Sequence, residues 1–212
     1  MTNMIILGPQ GCGKGTQAKK ISKELDIPHI STGDIFRELR KEDSELGRKV
    51  KNLIDEGNFV PDDVTIEIVK DRLKKKDCKD GFILDGFPRN LFQAKSINEV
   101  INIDYVFDIE IPHDVSVHRL SGRRTCSNKG CGAIYNIYLE PKSKEERICD
   151  KCGSNLFQRM DDQKEAIEKR LRTYHTETEP MMEFYKLKSN LVVLDGTATI
   201  DEVFEEIMNA IL

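Results

Sequence analysis

Gly8-Pro9-Gln10-Gly11-Cys12-Gly13-Lys14-Gly15-Thr16 follows a short apolar run, Met4-Ile5-Ile6-Leu7, and leads into a segment whose apolar residues Ala18, Ile21 and Leu25 recur at helical spacing. Strand, glycine loop and helix in that order are the context of a phosphate-binding loop. Its four glycines let the backbone curl so that successive N–H groups point into one concavity and hold phosphate oxygens. The positive end of the following helix favours the same anion, and Lys14 can reach the terminal phosphates. One position departs from the strict pattern. Gly15 stands where a magnesium-holding Ser or Thr is usual, and Thr16 comes one place later. Either the magnesium is held through water and phosphate, or the match is accidental. The flanking strand and helix favour nucleotide binding.

The rest of the chain alternates in the same way. Expected strands are Met4–Leu7, Pro28–Ile30, Gly81–Leu84, Tyr105–Ile109 and Leu191–Leu194, short and apolar as in a parallel sheet covered on both faces. Helical patterns fall at about 14–25, 62–75, 90–99, 114–121, 161–188 and 200–211. Thr199 and Glu202 form a capping box for the last of these, and Asp114 is the expected cap of the helix carrying His118 and Arg119. The fold class is therefore α/β: a P-loop, doubly wound, five-stranded parallel sheet with two inserted lobes. Ligands are expected at the carboxyl ends of its strands. Residues 1–30, 61–121 and 162–212 make the core domain, 31–60 a helical insert, and 122–161 a second insert rich in Cys, Gly and Tyr with alternation at Ala133–Leu139.

Composition limits the alternatives. The 212 residues can bury one good core. A charged fraction of 33% with 38% hydrophobic residues fits a globular chain, and a net charge of −4 disfavours a general nucleic-acid binder. No apolar run is long enough to span a bilayer, so the expected location is the cytoplasm, with no membrane partner. Six cysteines in such a compartment read as metal ligands or spectators more than as disulfides.

Further motifs follow in order: Ser31-Thr32-Gly33-Asp34 with Arg37, then Asp85-Gly86-Phe87-Pro88-Arg89 at a strand end with Gln93 beyond it, and Arg159-Met160-Asp161-Asp162 ahead of a long helix. With these motifs the chain resembles the adenylate kinases, the long-lid bacterial type most closely, over essentially its whole length. In that family Gly15 before Thr16 is the usual pattern and magnesium is held by phosphates and water; Pro9 sits one place earlier than usual. The resemblance implies reversible phosphoryl transfer from Mg-ATP to AMP giving two ADP, in adenine nucleotide homeostasis. It implies that Gly11, Cys12, Gly13, Lys14, Gly15 and Thr16 bind the ATP phosphates. Arg119 would stack on the ATP adenine, Ala198 would contact it through its backbone, and Ile134 and Tyr135 would cover the nucleotide. AMP would lie against Thr32, Arg37, Asn58, Phe59, Val60, Gly86, Phe87, Pro88, Arg89 and Gln93, the last through its amide. Arg123, Arg159 and Arg170 match the arginines around the transferred group, so that Lys14, Asp85, Arg89, Arg123, Arg159 and Arg170 form the expected catalytic set. The expected partners are the small nucleotides ATP, AMP and ADP, bound by a monomer.

Elementary chemistry supports the arginines. Phosphoryl transfer needs negative charge stabilised on equatorial oxygens with donor and acceptor in line, and guanidinium forks suit that geometry without giving up a proton. The bland reading of an arginine on a charged helix is a solvated residue, and Arg124 and Arg172 fit it. Asp85 is either a turn cap or a water-mediated partner of magnesium, and its place after an apolar strand favours the second.

Cys126-x4-Cys131 and Cys149-x2-Cys152 lie in the second insert within tight turns, Lys129-Gly130-Cys131-Gly132 and Asp150-Lys151-Cys152-Gly153. Two such knuckles can surround one ion with four thiolates, and a small lobe with little apolar surface gains its folding energy from the metal. Structural Zn2+ is the expected ion, with iron or cobalt able to take the same ligands; two disulfides or an empty lobe are the alternatives. The other candidates are weaker. Cys78, His29, His113, His118 and His175 carry no motif. A kinase for UMP or CMP is the nearest rival function. A GTPase fails because Asn128-Lys129-Gly130-Cys131 lacks the final Asp of a guanine-reading motif, and a zinc-ribbon nucleic-acid binder conflicts with the acidic balance.

Overall fold

In a computed structural model of the chain, residues 2–55, 60–128, 130–188 and 190–211 are described. The strands in chain order are β1 (Thr2–Leu7), β2 (His29–Ser31), β3 (Gly81–Asp85), β4 (Tyr105–Glu110), β5 (Arg123–Cys126), β6 (Ile134–Asn136), β7 (Leu156–Phe157) and β8 (Leu191–Asp195). The α-helices are α1 (Lys14–Leu25), α2 (Thr32–Leu39), α3 (Glu45–Asp55), α4 (Asp62–Leu73), α5 (Leu91–Asn98), α6 (His113–Gly122), α7 (Lys164–Thr173), α8 (Met182–Leu187) and α9 (Ile200–Ile211). Contacts divide the chain into two units. One holds the residues up to Gly8, Cys12–Glu110 and those from Tyr174 onward; the other holds Pro9–Gly11 and Ile111–Thr173.

The first unit is built on a five-stranded parallel sheet of order β2-β3-β1-β4-β8. Met4 to Leu7 are at most 3% exposed, which is why β1 reads as an unbroken apolar run and lies at the centre. Ile5 and Leu7 pack with Ile66 and Val69 of α4, Ala94 and Ile97 of α5 and Tyr185 of α8. With β3 on one side of β1 and β4 on the other, the loop after β1 opens at the point where strand order reverses, where open α/β sheets bind ligands. Register sets Ile6 beside Asp85, Leu7 beside Asp108 and Ser31 beside Asp85, so both carboxylates stand at the carboxyl edge of the sheet.

The α/β expectation and all five core strands are met, each within two residues at either end. The α9 capping box is present: Glu202 N donates to Thr199 Oγ1 (3.3 Å) and Glu202 Oε2 accepts from Thr199 N (2.9 Å). Three local expectations are corrected. The pattern at 161–188 is not one helix. A 3-10 turn at Met160–Asp162, α7, a π-helical turn at Tyr174–Thr178, a 3-10 turn at Glu179–Met181 and α8 follow one another. Pro180 has no N–H to continue the ladder and its ring crowds the carbonyl one turn back, so the backbone widens before it. The α6 N-cap is Pro112 with no side-chain cap; Asp114 lies in the first turn, where its charge still favours the helix dipole. The alternation at Ala133–Leu139 yields a strand only over Ile134–Asn136, because Asn136 Oδ1 accepts from the N–H groups of Tyr138 (2.8 Å) and Leu139 (3.3 Å) and turns the chain.

The second unit packs Leu120 of α6 against Ile167 and Leu171 of α7, and carries a three-stranded antiparallel sheet of order β6-β5-β7. Among the described residues no helix is long and apolar enough to cross a membrane.

Candidate active site

In the first unit the loop after β1 is shaped by backbone conformations that only glycine adopts without strain. Gly8 has φ +134° and Gly13 φ +100°. A Cβ on Gly8 would lie 2.3 Å from the Ile109 carbonyl oxygen and 2.8 Å from Cys12 Sγ, so the loop hugs the end of β4 too closely for any side chain. Gly13 is the left-handed N-cap of α1, and its carbonyl accepts from the N–H groups of Thr16 (2.9 Å) and Gln17 (3.0 Å). Lys14 Nζ folds back to donate to the Gly8 carbonyl at 3.1 Å, which holds its charge over the loop. Cys12 is buried, and burial pushes its thiol up despite the nearby Lys14, so it is a neutral filler beneath the loop.

Gly15 has a specific reason. A Cβ there would stand 3.3 Å from Asp85 Oδ2. The bare backbone at the start of α1 thus leaves the space in front of the carboxylate open. Asp85 is 8% exposed and its Oδ2 also lies 3.1 Å from His29 Nε2.

Beyond β3, Thr32 is buried and its hydroxyl donates to the Gly86 carbonyl at 2.9 Å. Arg37 pairs with Asp34 on α2 at 2.5 Å. Arg89 is fixed from three directions: its N–H donates to Gln93 Oε1 (2.8 Å), its Nε to the Gly86 carbonyl (2.8 Å), and its own carbonyl accepts from Thr178 Oγ1 (2.7 Å). Gln93 Nε2 donates to Asp62 Oδ1 at 2.6 Å, and the Asn90 amide donates to the same carboxylate. Phe87 and Pro88 are buried, as is Val60, whereas Ala198 is exposed in the turn after β8. Asn58 and Phe59 lie outside the described residues.

In the second unit two arginines gather on two adjacent carboxylates. Arg123 makes a bidentate pair with Asp162 (Nε to Oδ2 2.8 Å, a terminal nitrogen to Oδ1 2.5 Å), and the Asp162 side chain has no exposure. Arg170 contacts Asp161 Oδ2 at 3.0 Å and Asp162 Oδ1 at 3.8 Å. A third, Arg159, donates from Nε to Thr125 Oγ1 at 3.0 Å on the strand that begins with Arg123. Arg119 reaches the Gly11 carbonyl at 3.5 Å, and its own carbonyl accepts from Asn136 Nδ2 at 2.8 Å. Ile134 and Tyr135 lie on β6; Ile134 is half-buried and Tyr135 is buried with its ring among the lid cysteines.

The ligand atoms of Cys126, Cys131, Cys149 and Cys152 all lie within 4.8 Å of one another. Cys126 and Cys152 sulfurs are 3.4 Å apart and those of Cys131 and Cys149 3.7 Å, too far for disulfides, which span about 2.05 Å. Thiolates held at about 2.3 Å from one tetrahedral ion stand about 3.8 Å apart, so the donor set fits zinc.

Asp108, Tyr174, Thr178 and Asp62 are structural members of these sites that the sequence reading missed. Asp108 is 3% exposed at the end of β4, and burial, then repulsion from Glu110, pushes its carboxyl up to about 6. Tyr174 OH donates to its Oδ1 at 3.5 Å, and Lys14 opposes the shift while Glu179 adds to it. A carboxyl pKa that is higher folded than unfolded makes the native state bind the extra proton. Its stabilisation is present below the unfolded value near 3.8 and is lost as pH rises through about 6. Asp108→Asn, which keeps an acceptor for Tyr174, is therefore expected to be more stable than wild type at pH 7.5 by up to about 3 kcal/mol. Urea unfolding of nucleotide-free protein checks this, with the difference shrinking as pH falls through about 6 and closing below about 3.8; equal stability at pH 7.5 would contradict a buried ionised group. The signal in the sequence was a carboxylate inside Tyr105-Val106-Phe107-Asp108-Ile109, a strand otherwise buried on both faces.

A family model described as adenylate kinase matches residues 6–190. Curated relatives named adenylate kinase align along nearly the whole chain. One from Thermoanaerobacter sp. (strain X514) is 48% identical over 98% of this chain and 97% of its own length. One from Caldanaerobacter subterraneus subsp. tengcongensis is 49% identical over 99% and 96%. One from Clostridium tetani is 48% identical over 99% and 98%.

Proposed function

This chain belongs to the adenylate kinase family, and from that premise we propose how its residues carry out the ATP:AMP phosphotransfer of an adenylate kinase. Gly11 to Thr16 take the ATP phosphates, with Lys14 on the terminal ones. Thr32, Arg37, Val60, Gly86 to Arg89 and Gln93, with Asn58 and Phe59, take AMP. Arg119, Ala198, Ile134 and Tyr135 hold the ATP base side. Arg89, Arg123, Arg159 and Arg170 neutralise the phosphoryl group as it passes between the nucleotides.

The observation that carries this reading is the carboxyl edge of the sheet, where the glycine loop, the open space before Asp85 and the anchored Arg89 stand on neighbouring strands. Asp85 is the carboxylate that would hold magnesium through water, and the ion would supply positive charge that offsets the ATP phosphates. The AMP phosphate is itself the nucleophile, so no general base is required. Positioning and electrostatics then supply the rate.

The pairing of Arg123 and Arg170 with Asp161 and Asp162 supports a clamp that exchanges partners. Without nucleotide the guanidinium groups are neutralised internally, and phosphate oxygens compete for them when ATP and AMP are bound. In this reading residues 31–60 and 122–161 act as closing segments over a core of 1–30, 61–121 and 162–212, and water is kept from accepting the phosphoryl group. Adenylate kinase closure is a standard instance of such gating. Cys126, Cys131, Cys149 and Cys152 hold a structural zinc ion that folds the second insert; with four protein ligands it has no open position for chemistry. The protein acts as a cytoplasmic monomer on free nucleotides.

Initial rates with Mg-ATP and AMP, CMP, UMP or GMP, each with ADP or the matching diphosphate quantified, test acceptor choice. AMP is expected to lead by about a hundredfold or more, as expected when a site built to pair polar edges rejects a base that leaves them unpaired. CMP or UMP turning over as fast as AMP would overturn the adenine assignment of Thr32 and Gln93.

A further inference from the structure

Tyr135 has a burial that a nucleotide-covering role does not need. It is 6% exposed, and its ring packs with Cys126, Cys131, Cys149 and Leu156. Its hydroxyl lies 3.7 Å from Cys149 Sγ, within reach for an O–H···S hydrogen bond. Cys149 is the most buried of the four cysteines at 1% exposure.

A buried phenol is costly unless its O–H finds a partner. Against four neutral thiols a phenylalanine would fill this space as well, because a thiol is a weak donor and a weak acceptor. Against a metal-bound thiolate the situation differs. That sulfur carries charge, has no proton and can only accept, so the direction of the bond is fixed with Tyr135 donating. Four thiolates around one divalent ion carry a net negative charge that must be spread over nearby donors. Cys149 is the ligand to which water has least access, so a protein donor matters most there. Cys152 is the contrasting case: it is exposed, two residues before Ser154, and water can hydrogen-bond its sulfur.

We propose that Tyr135 is a positioning residue for the lid metal, its hydroxyl donating to the Cys149 thiolate and thereby holding that ligand on the ion. The inference rests on the proposed metal site. Groups that hydrogen-bond to metal ligands set affinity by about ten- to a hundredfold, so Tyr135→Phe is expected to lose metal to a chromogenic chelator faster by about that factor. Ser154→Ala is expected to change release far less.

The experiment uses purified full-length protein with metal content measured by elemental analysis, and compares wild type, Tyr135→Phe and Ser154→Ala. The same three proteins loaded with Co2+ provide a second readout. The sulfur-to-cobalt charge-transfer band should move in Tyr135→Phe, since a thiolate relieved of a hydrogen bond is a better electron donor, and a purely packing role would leave that band in place. One metal per chain, with unchanged release and an unchanged cobalt band in Tyr135→Phe, would overturn the inference and leave the metal site standing. Metal-free wild type that neither takes up zinc nor gives a thiolate–cobalt band would overturn both.

Discussion

Arg89→Ala should lower turnover by about a thousandfold, the scale on which a single arginine acts in phosphoryl transfer, while far-UV circular dichroism and the melting temperature stay near wild type. The structure makes this substitution a clean test. The Arg89 N–H bond to Gln93 and its carbonyl bond from Thr178 both belong to the backbone, so they survive the loss of the side chain. The bond from Nε to the Gly86 carbonyl goes with the guanidinium. Arg89→Lys separates charge from shape: an ammonium restores one point charge but not a planar fork, so recovery should be partial. Single-turnover rapid quench isolates the chemical step from nucleotide binding. A turnover within about threefold of wild type, against the thousandfold expected of a clamp arginine, would remove Arg89 from the reacting centre.

The second large effect is expected from withdrawing the metal proposed for the four-cysteine cluster. The second insert has a small apolar cluster of its own, Cys126, Ala133, Tyr135, Cys149 and Leu156, and two of its five members are the cysteines themselves. Little else can replace the ion's contribution to folding. Chelation under reducing conditions should lower the melting temperature by on the order of 10 °C, the scale expected when a tight ligand that binds only the native state is withdrawn from a chain of this length. Readdition of zinc should restore it. Calorimetry with parallel elemental analysis reads the result. A protein that contains no metal as purified, and whose melt ignores both chelator and zinc, would contradict the site.

The features that position the sites were legible to different degrees, for physical reasons. The glycine loop was legible because tight curvature restricts residue type, and Gly8 and Gly13 occupy backbone conformations that other residues avoid. The strand ends were legible because a sheet covered on both faces forces short apolar runs, and Asp85 breaks one of them. Asp108 breaks another in the same way but has no motif beside it, so its strain was invisible until burial and the Glu110 charge were seen together. The break at Tyr174–Thr178 escaped notice because Leu171, Tyr174, Met181 and Tyr185 keep an apolar face across it. Pro180 was the signal that the helix could not continue. The Gln93–Asp62 and Arg89–Thr178 bonds join residues 31 and 89 positions apart, and a single sequence contains nothing that pairs them. For Tyr135, alternation indicated a strand but not which neighbours its ring would meet.

The most direct measurement is the product balance of Mg-ATP and AMP incubated with the purified protein, followed by phosphorus-31 nuclear magnetic resonance. Transfer between two nucleotides shielded from solvent predicts two ADP for each AMP consumed, with inorganic phosphate at the level of an enzyme-free control. Phosphate accumulating in step with ATP loss while AMP persists would mean that water is the acceptor, and would contradict a site that passes the phosphoryl group from nucleotide to nucleotide.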